Sequence, residues 1–277
     1  MASRKERKEH ARAQLLAVER EQAATAARAR RRRMLAGAVA VAAIVVAIAI
    51  VMSTGGGTSG HGLAGGREGR RLVSQVDAAL NGIPEHGLVL GRAGARFTLT
   101  LYGDLQCPIC AALMTGQDGS GLPRFIRDQV RAGHAKIVYR SFCTATCDHF
   151  SATLFAQQQA AAYAAGAQDR FWYYEELFYH QQGQEGAPYV TPTFLRGIAR
   201  QISGLNLATW SRDRNNPALL GQVNADERAA VRQLPVIDGG RGTPGLIMSG
   251  PSGSRFVAEG VVTYGQLTAA MNAVSRP

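Results

Sequence analysis

Cysteine is scarce in this 277-residue chain: four residues, which cannot form the dense framework of a small disulfide-stapled scaffold. Proline is sparse too, 10 against 32 glycines, with neither a collagen period nor the composition of a globally disordered chain. Acidic residues are outnumbered 20 to 31, and the formal charge of +11 would suggest a nucleic-acid partner if it were spread evenly. It is not. Residues 1–33 hold eleven Lys/Arg and four Asp/Glu, whereas the remaining 244 hold twenty and sixteen. The high isoelectric point belongs to a tail, and the main domain is not expected to bind nucleic acid. Also missing are a Walker loop, an H-E-x-x-H helix and a G-x-S-x-G elbow, so nothing points to nucleotide hydrolysis, zinc proteolysis or serine-hydrolase chemistry. No cofactor is called for.

What is present begins with an apolar run. Met34–Met52 is nineteen residues without a charge, amide or proline, and at about 1.5 Å per helical residue it nearly spans a bilayer core of about 30 Å. Arg28 and Arg30–Arg33 precede it, and such a cluster stays cytoplasmic, which sends everything after Met52 across the membrane. An uncleaved single-pass anchor is favoured over a cleaved signal peptide, whose apolar region and leader are shorter. The tail 1–33 reads as a solvated basic helix lying on anionic lipid. Residues 53–71 carry eight glycines and read as a flexible tether. From Leu72 to the end the texture is globular, one domain without repeats.

Within that domain Leu72, Val76, Ala79, Leu80 and Ile83 share a helical face, stopped by Gly82 and Pro84. A short extended stretch at 87–90 follows. Alternation and β-branched content predict strands at 97–102 and 136–142, a block of helices at about 148–234 with Thr191 as one N-cap, and a closing hairpin at 246–249 and 255–259. Thr263 caps a last helix through Val274. The order is that of an α/β domain with a helical insertion.

The chemistry gathers where the strongest strand ends. Cys107-Pro108-Ile109-Cys110 follows it by a short turn, and the apolar run 109–114 predicts a helix starting at the motif. A thiol at a helix N-terminus faces unpaired backbone N–H groups and the positive end of the macrodipole, which favour thiolate over thiol. This makes Cys107 the expected nucleophile, with Pro108 suited to the first turn and Cys110 near enough to close a disulfide. A bare C-x-x-C also occurs in zinc sites and structural bridges; the strand-to-helix setting on the oxidising side of a membrane favours redox activity.

The segments GIPEHGLVLG, FTLTLYGDLQCPIC and GTPGLIMSG together resemble the membrane-anchored, thioredoxin-fold, DsbA-like thiol–disulfide oxidoreductases of bacteria, from about Ile83 to the C-terminus. The resemblance implies that Cys107 is the attacked sulfur and Cys110 the resolving one. It also implies that Thr243 and a cis Pro244 pack beside them, with Pro108, Ile109 and this loop meeting substrate. Pro244 lies 134 residues beyond Cys110, a gap filled by the helical insertion. The implied partners are exported proteins with cysteines and a quinone-linked membrane reoxidant, DsbB-like or vitamin K epoxide reductase-like. A monomer in a bacterial cell membrane is expected, because only a tether and one short helix precede the domain where isomerases carry a dimerisation module. The competing functions are an isomerase or reductase of the same fold, and a non-enzymatic surface domain stabilised by disulfide or zinc.

Three features leave alternatives. Asp104 either tunes proton transfer at the thiols or bonds N–H groups in the turn, the turn role being favoured; family members often carry an acid deeper in the strand, and residues 97–102 contain none. Cys143 and Cys147, about 6 Å apart on a helical turn, form a structural bridge, a redox relay to the first pair, or part of a zinc site with His149. Phe171, Trp172, Tyr173, Tyr174, Phe178 and Tyr179 read as insertion core, with a peptide groove lined by Trp172 or Tyr173 as the lesser reading.

Overall fold

The computed structural model describes residues 62–276. The basic tail 1–33, the apolar run 34–52 and most of the tether, residues 53–61, lie outside the described residues; among those described, no helix is long and apolar enough to cross a membrane.

The chain enters through α1 (Gly66–Leu80), which begins inside the stretch assigned to the tether. The glycine content pointed the other way, but burial overrides propensity here: Val76 and Leu80 sink into the core, Ala64 N–H donates to Gln181 (2.9 Å), and the backbone of Ala64 lies where a Cβ on Gly69 would stand. Ala79, placed on the buried face by spacing, is exposed, and Val73 packs in its place. A two-strand hairpin follows, β1 (Glu85–His86) and β2 (Val89–Leu90), and then the central strand β3 (Phe97–Gly103). Next come α2 (Pro108–Thr115), α3 (Leu122–Phe125) running into a π turn at Ile126–Val130, and β4 (Ala135–Ser141). The α3–π segment has no counterpart in the sequence reading, because Pro123 and four-residue length leave no helical period to read.

The insertion consists of α4 (Ala145–His149), α5 (Ala152–Gly166), α6 (Phe171–His180), α7 (Pro192–Arg200), α8 (Leu207–Asp213) and α9 (Pro217–Gln233). The chain returns through β5 (Gly245–Gly250) and β6 (Gly253–Glu259) to α10 (Tyr264–Ala273). Thr191 and Thr263 cap α7 and α10 as the sequence predicts, accepting from the N–H groups of Phe194 and Gln266.

The six strands lie in the order β1-β2-β4-β3-β5-β6. β3 pairs in parallel with β4, Phe97 opposite Ala135 and Gly103 opposite Ser141, and antiparallel with β5, Tyr102 opposite Gly245. This register decides where the site forms. The chain leaves β3 toward Cys107 at the same end of the sheet at which it enters β5 from Thr243 and Pro244. Both faces of the sheet are covered: Leu99, Leu101 and Met248 face the large core, while Tyr102 and Ile247 join Phe142, Ala229, Ala230 and Leu234 beneath α9. Trp172 is fully buried in the large core, which removes it as a groove residue; Tyr173 is half-buried with the Arg170 guanidinium over its ring.

Candidate active site

Cys107 is the N-cap of α2, and Pro108 opens the helix. Its sulfur accepts from the Cys110 N–H at 3.4 Å and donates to the Thr243 carbonyl at 3.3 Å. The Thr243–Pro244 peptide is cis, as the resemblance implies, and both residues are buried. The turn between strand and helix is tightly held. Gly103 lets the Tyr139 ring lie directly beneath it, where a Cβ would come within 2.9 Å of that ring, and Tyr139 donates to the Gly103 carbonyl (3.0 Å). From the end of α6, Gln182 donates its amide to the carbonyls of Leu105 (2.8 Å) and Cys107 (3.1 Å).

Both cysteines of this motif are free thiols, and they differ sharply in acidity. The Cys107 thiol is held below its ordinary range, first by the Cys110 side chain and then, against the raising effect of burial, by the Thr243 side chain and the N–H groups of Cys110 and Ile109. Cys110 is pushed well up by burial, and further by its hydrogen bond to Cys107 and by charge there. The helix N-terminus, expected as the main cause, thus ranks behind the neighbouring thiol. The expected nucleophile is not open to solvent: Cys107 is only 4% accessible, with the Thr243 carbonyl on its sulfur, and the exposed residue of the motif is Ile109, at 44%.

Asp104 is fully buried and serves more than its own turn. Oδ1 accepts from Gln106 N–H (3.0 Å), the Thr146 hydroxyl (2.5 Å) and Gln158 (3.1 Å); Oδ2 accepts from the N–H groups of Thr144 (3.0 Å) and Thr146 (2.9 Å). The turn reading holds for Gln106, and the carboxylate also ties the turn to the second cysteine segment. There Cys143 and Cys147 are joined, Cα atoms 5.7 Å apart, Cys143 half-buried and Cys147 exposed. His149 turns to Glu185 at 3.7 Å, and the bonded sulfurs offer no thiolate to a metal.

Sequence reasoning missed Thr144, Gln182 and two acids of α6. Glu175 is fully buried with neither carboxylate oxygen hydrogen-bonded, and burial, then Glu176 and Glu85, push it far up. Burial alone raises Glu176 to about 8. The available signal was a pair of glutamates inside the aromatic run FWYYEELFY.

The family model described as Thioredoxin matches residues 84–250, well over half of the chain and both loops of the site. This chain belongs to the thioredoxin family. Its solved structural neighbours are of the DsbA type. Oxidised BdbD of Bacillus subtilis aligns with TM-score 0.54 and 17% identity over 70% of this chain and 98% of its own. DsbA2 of Pseudomonas aeruginosa aligns with TM-score 0.52 and 20% identity over 70% and 97%. Alpha-DsbA1 of Wolbachia pipientis gives 0.51 and 13% over 68% and 89%. These likenesses establish a DsbA-like thioredoxin fold with a helical insertion. No curated protein matches the sequence.

Proposed function

We propose that this chain is an extracytoplasmic protein thiol–disulfide oxidoreductase that introduces disulfides into exported proteins. The observation that carries the reading is the opposed pKa shifts of two sulfurs one helical turn apart, Cys107 lowered and Cys110 raised, beside the Thr243–Pro244 loop. In the oxidised pair, a substrate thiolate attacks Cys107 Sγ, the Cys107–Cys110 bond breaks, and Cys110 leaves and takes a proton. A second substrate thiolate then attacks the substrate sulfur of the mixed disulfide and expels Cys107 as thiolate. Two electrons end on the enzyme pair and one disulfide on the substrate. A stabilised Cys107 thiolate is a good leaving group and favours the reduced enzyme, so a low pKa and oxidising power go together. Ile109, exposed at the motif, and the Thr243 backbone offer an extended substrate an apolar contact and a strand edge.

The membrane side of the proposal rests on sequence: the apolar run 34–52 behind Arg28–Arg33 supports a single-pass anchor with the catalytic domain outside. Reoxidation falls to a quinone-linked membrane protein, DsbB-like or vitamin K epoxide reductase-like. The deciding experiment incubates the oxidised full-length chain with a reduced, unfolded disulfide protein. Substrate oxidation with stoichiometric reduction of Cys107 and Cys110 supports an oxidase; reshuffling of scrambled disulfides without net oxidation supports an isomerase; neither activity sinks the enzymatic reading.

A further inference from the structure

Thr144 stands between the two cysteine pairs, and its hydroxyl is used in an unusual way. It occupies the N-cap of α4, yet its side chain caps nothing there, whereas Ser151, Thr191, Asn206, Asn216 and Thr263 all cap the helices they open. Instead Thr144 Oγ1 lies 2.5 Å from Thr243 Oγ1, a contact in which either oxygen can donate. Thr243 in turn lies against Cys107, whose sulfur reaches the Thr243 carbonyl at 3.3 Å and whose pKa the Thr243 side chain lowers. The segment cannot drift. Asp104 accepts from the N–H groups of Thr144 and Thr146, Glu227 accepts from that of Cys143, and the Cys143–Cys147 bond closes the loop around Thr144.

A hydroxyl has one proton to donate. If Thr243 gives it to Thr144, the hydroxyl offers Cys107 no proton, which suits a thiol whose own proton goes to the Thr243 carbonyl. If Thr144 donates to Thr243, the Thr243 proton is free to point at the sulfur. A thiolate only accepts, so it requires the second arrangement. We propose that Thr144 is a positioning residue of the exchange centre: braced by Asp104 and the Cys143–Cys147 bond, its hydroxyl donates to Thr243 and so turns the Thr243 proton toward Cys107 Sγ when that sulfur leaves. The inference rests on Cys107 being the exchanging sulfur. The other titratable groups about the pair are Cys110 of α2, Asp104 of the turn, Tyr139 of β4 and Tyr179 of α6, and the Thr144 hydroxyl bonds to none of them.

The test titrates the reduced full-length chain by thiolate ultraviolet absorbance and measures its equilibrium with glutathione. Thr144→Val and Thr144→Ala should each make Cys107 an acid about threefold to tenfold weaker and the pair correspondingly less oxidising, the size of one modest hydrogen bond. Thr144→Ser should restore both, and in a Thr243→Val background Thr144→Val should add nothing. Wild-type titration in Thr144→Val and Thr144→Ala, failure of the serine to rescue, or an undiminished effect without the Thr243 hydroxyl would each overturn the inference. A wild-type protein with no acidic thiol and no exchange would instead overturn the functional reading on which it rests.

Discussion

Cys107 and Cys110 sit at a helix N-terminus with both sulfurs buried and free, whereas Cys143 and Cys147 close a small loop at the surface and are joined. One residue of spacing separates the motifs, but the surroundings separate them far more. The first pair has donors aimed at one sulfur and a dry environment around the other, which splits their acidities. Around the second pair the acids bond backbone rather than sulfur: Glu227 accepts from Cys143 N–H, and Asp104 from the N–H groups of Thr144 and Thr146 between the cysteines. Exchange needs one good leaving group in a pair, and burial with directed donors supplies it. Simple proximity of two thiols does not.

The largest way to break this contrast is to remove a sulfur from each pair. Cys107→Ser should abolish exchange, and Cys110→Ala should accumulate mixed disulfides at Cys107, visible by non-reducing electrophoresis and mass spectrometry. Neither phenotype should appear in Cys143→Ala/Cys147→Ala; loss of exchange there would make the second pair a relay. Next in size is Asp104→Ala, which strips a buried carboxylate from five donors and should destabilise the domain by about 3 kcal/mol in denaturant unfolding.

The Cys143→Ala/Cys147→Ala variant should lose less, about 2 kcal/mol on the loop-entropy model for so short a ring. Smallest is a pH effect in the reduced protein. The folded-state pKa of Cys107 lies below the unfolded one, so its contribution is present above the ordinary thiol range and is lost as pH falls through the lowered folded value. Reduced wild type should therefore gain thermal stability relative to Cys107→Ser as pH rises from neutral toward the ordinary thiol range. A difference independent of pH would mean that Cys107 titrates normally.

Local pattern was enough for much of the fold. Alternation located β3, β4 and the closing hairpin, because a strand buried by its neighbours needs β-branched and aromatic residues in sequence. Caps at Thr191 and Thr263 were legible because a cap acts within three residues. The start of α1 was not, since Gly66–Arg71 carry no apolar period of their own and extend a helix that is held in the core by Val76 and Leu80. The α3–π segment was not either, being too short to show a period. Of the site, the C-P-x-C turn and the Thr243–Pro244 loop carried their own signatures, and their meeting follows from β3 and β5 being adjacent.

The sequence by itself determined that Cys107 opens a helix one turn before Cys110, because helix opening is written in adjacent residues: a strand, a turn, Cys107 and Pro108. Only the tertiary structure decided what surrounds the two sulfurs. The cover over Cys107, four of the five donors on Asp104 and the Thr144–Thr243 contact join residues roughly 40 to 140 positions apart. Such contacts depend on sheet register and helix packing, and a hydrogen bond forms or fails within less than an ångström, a precision that no local pattern of residues encodes.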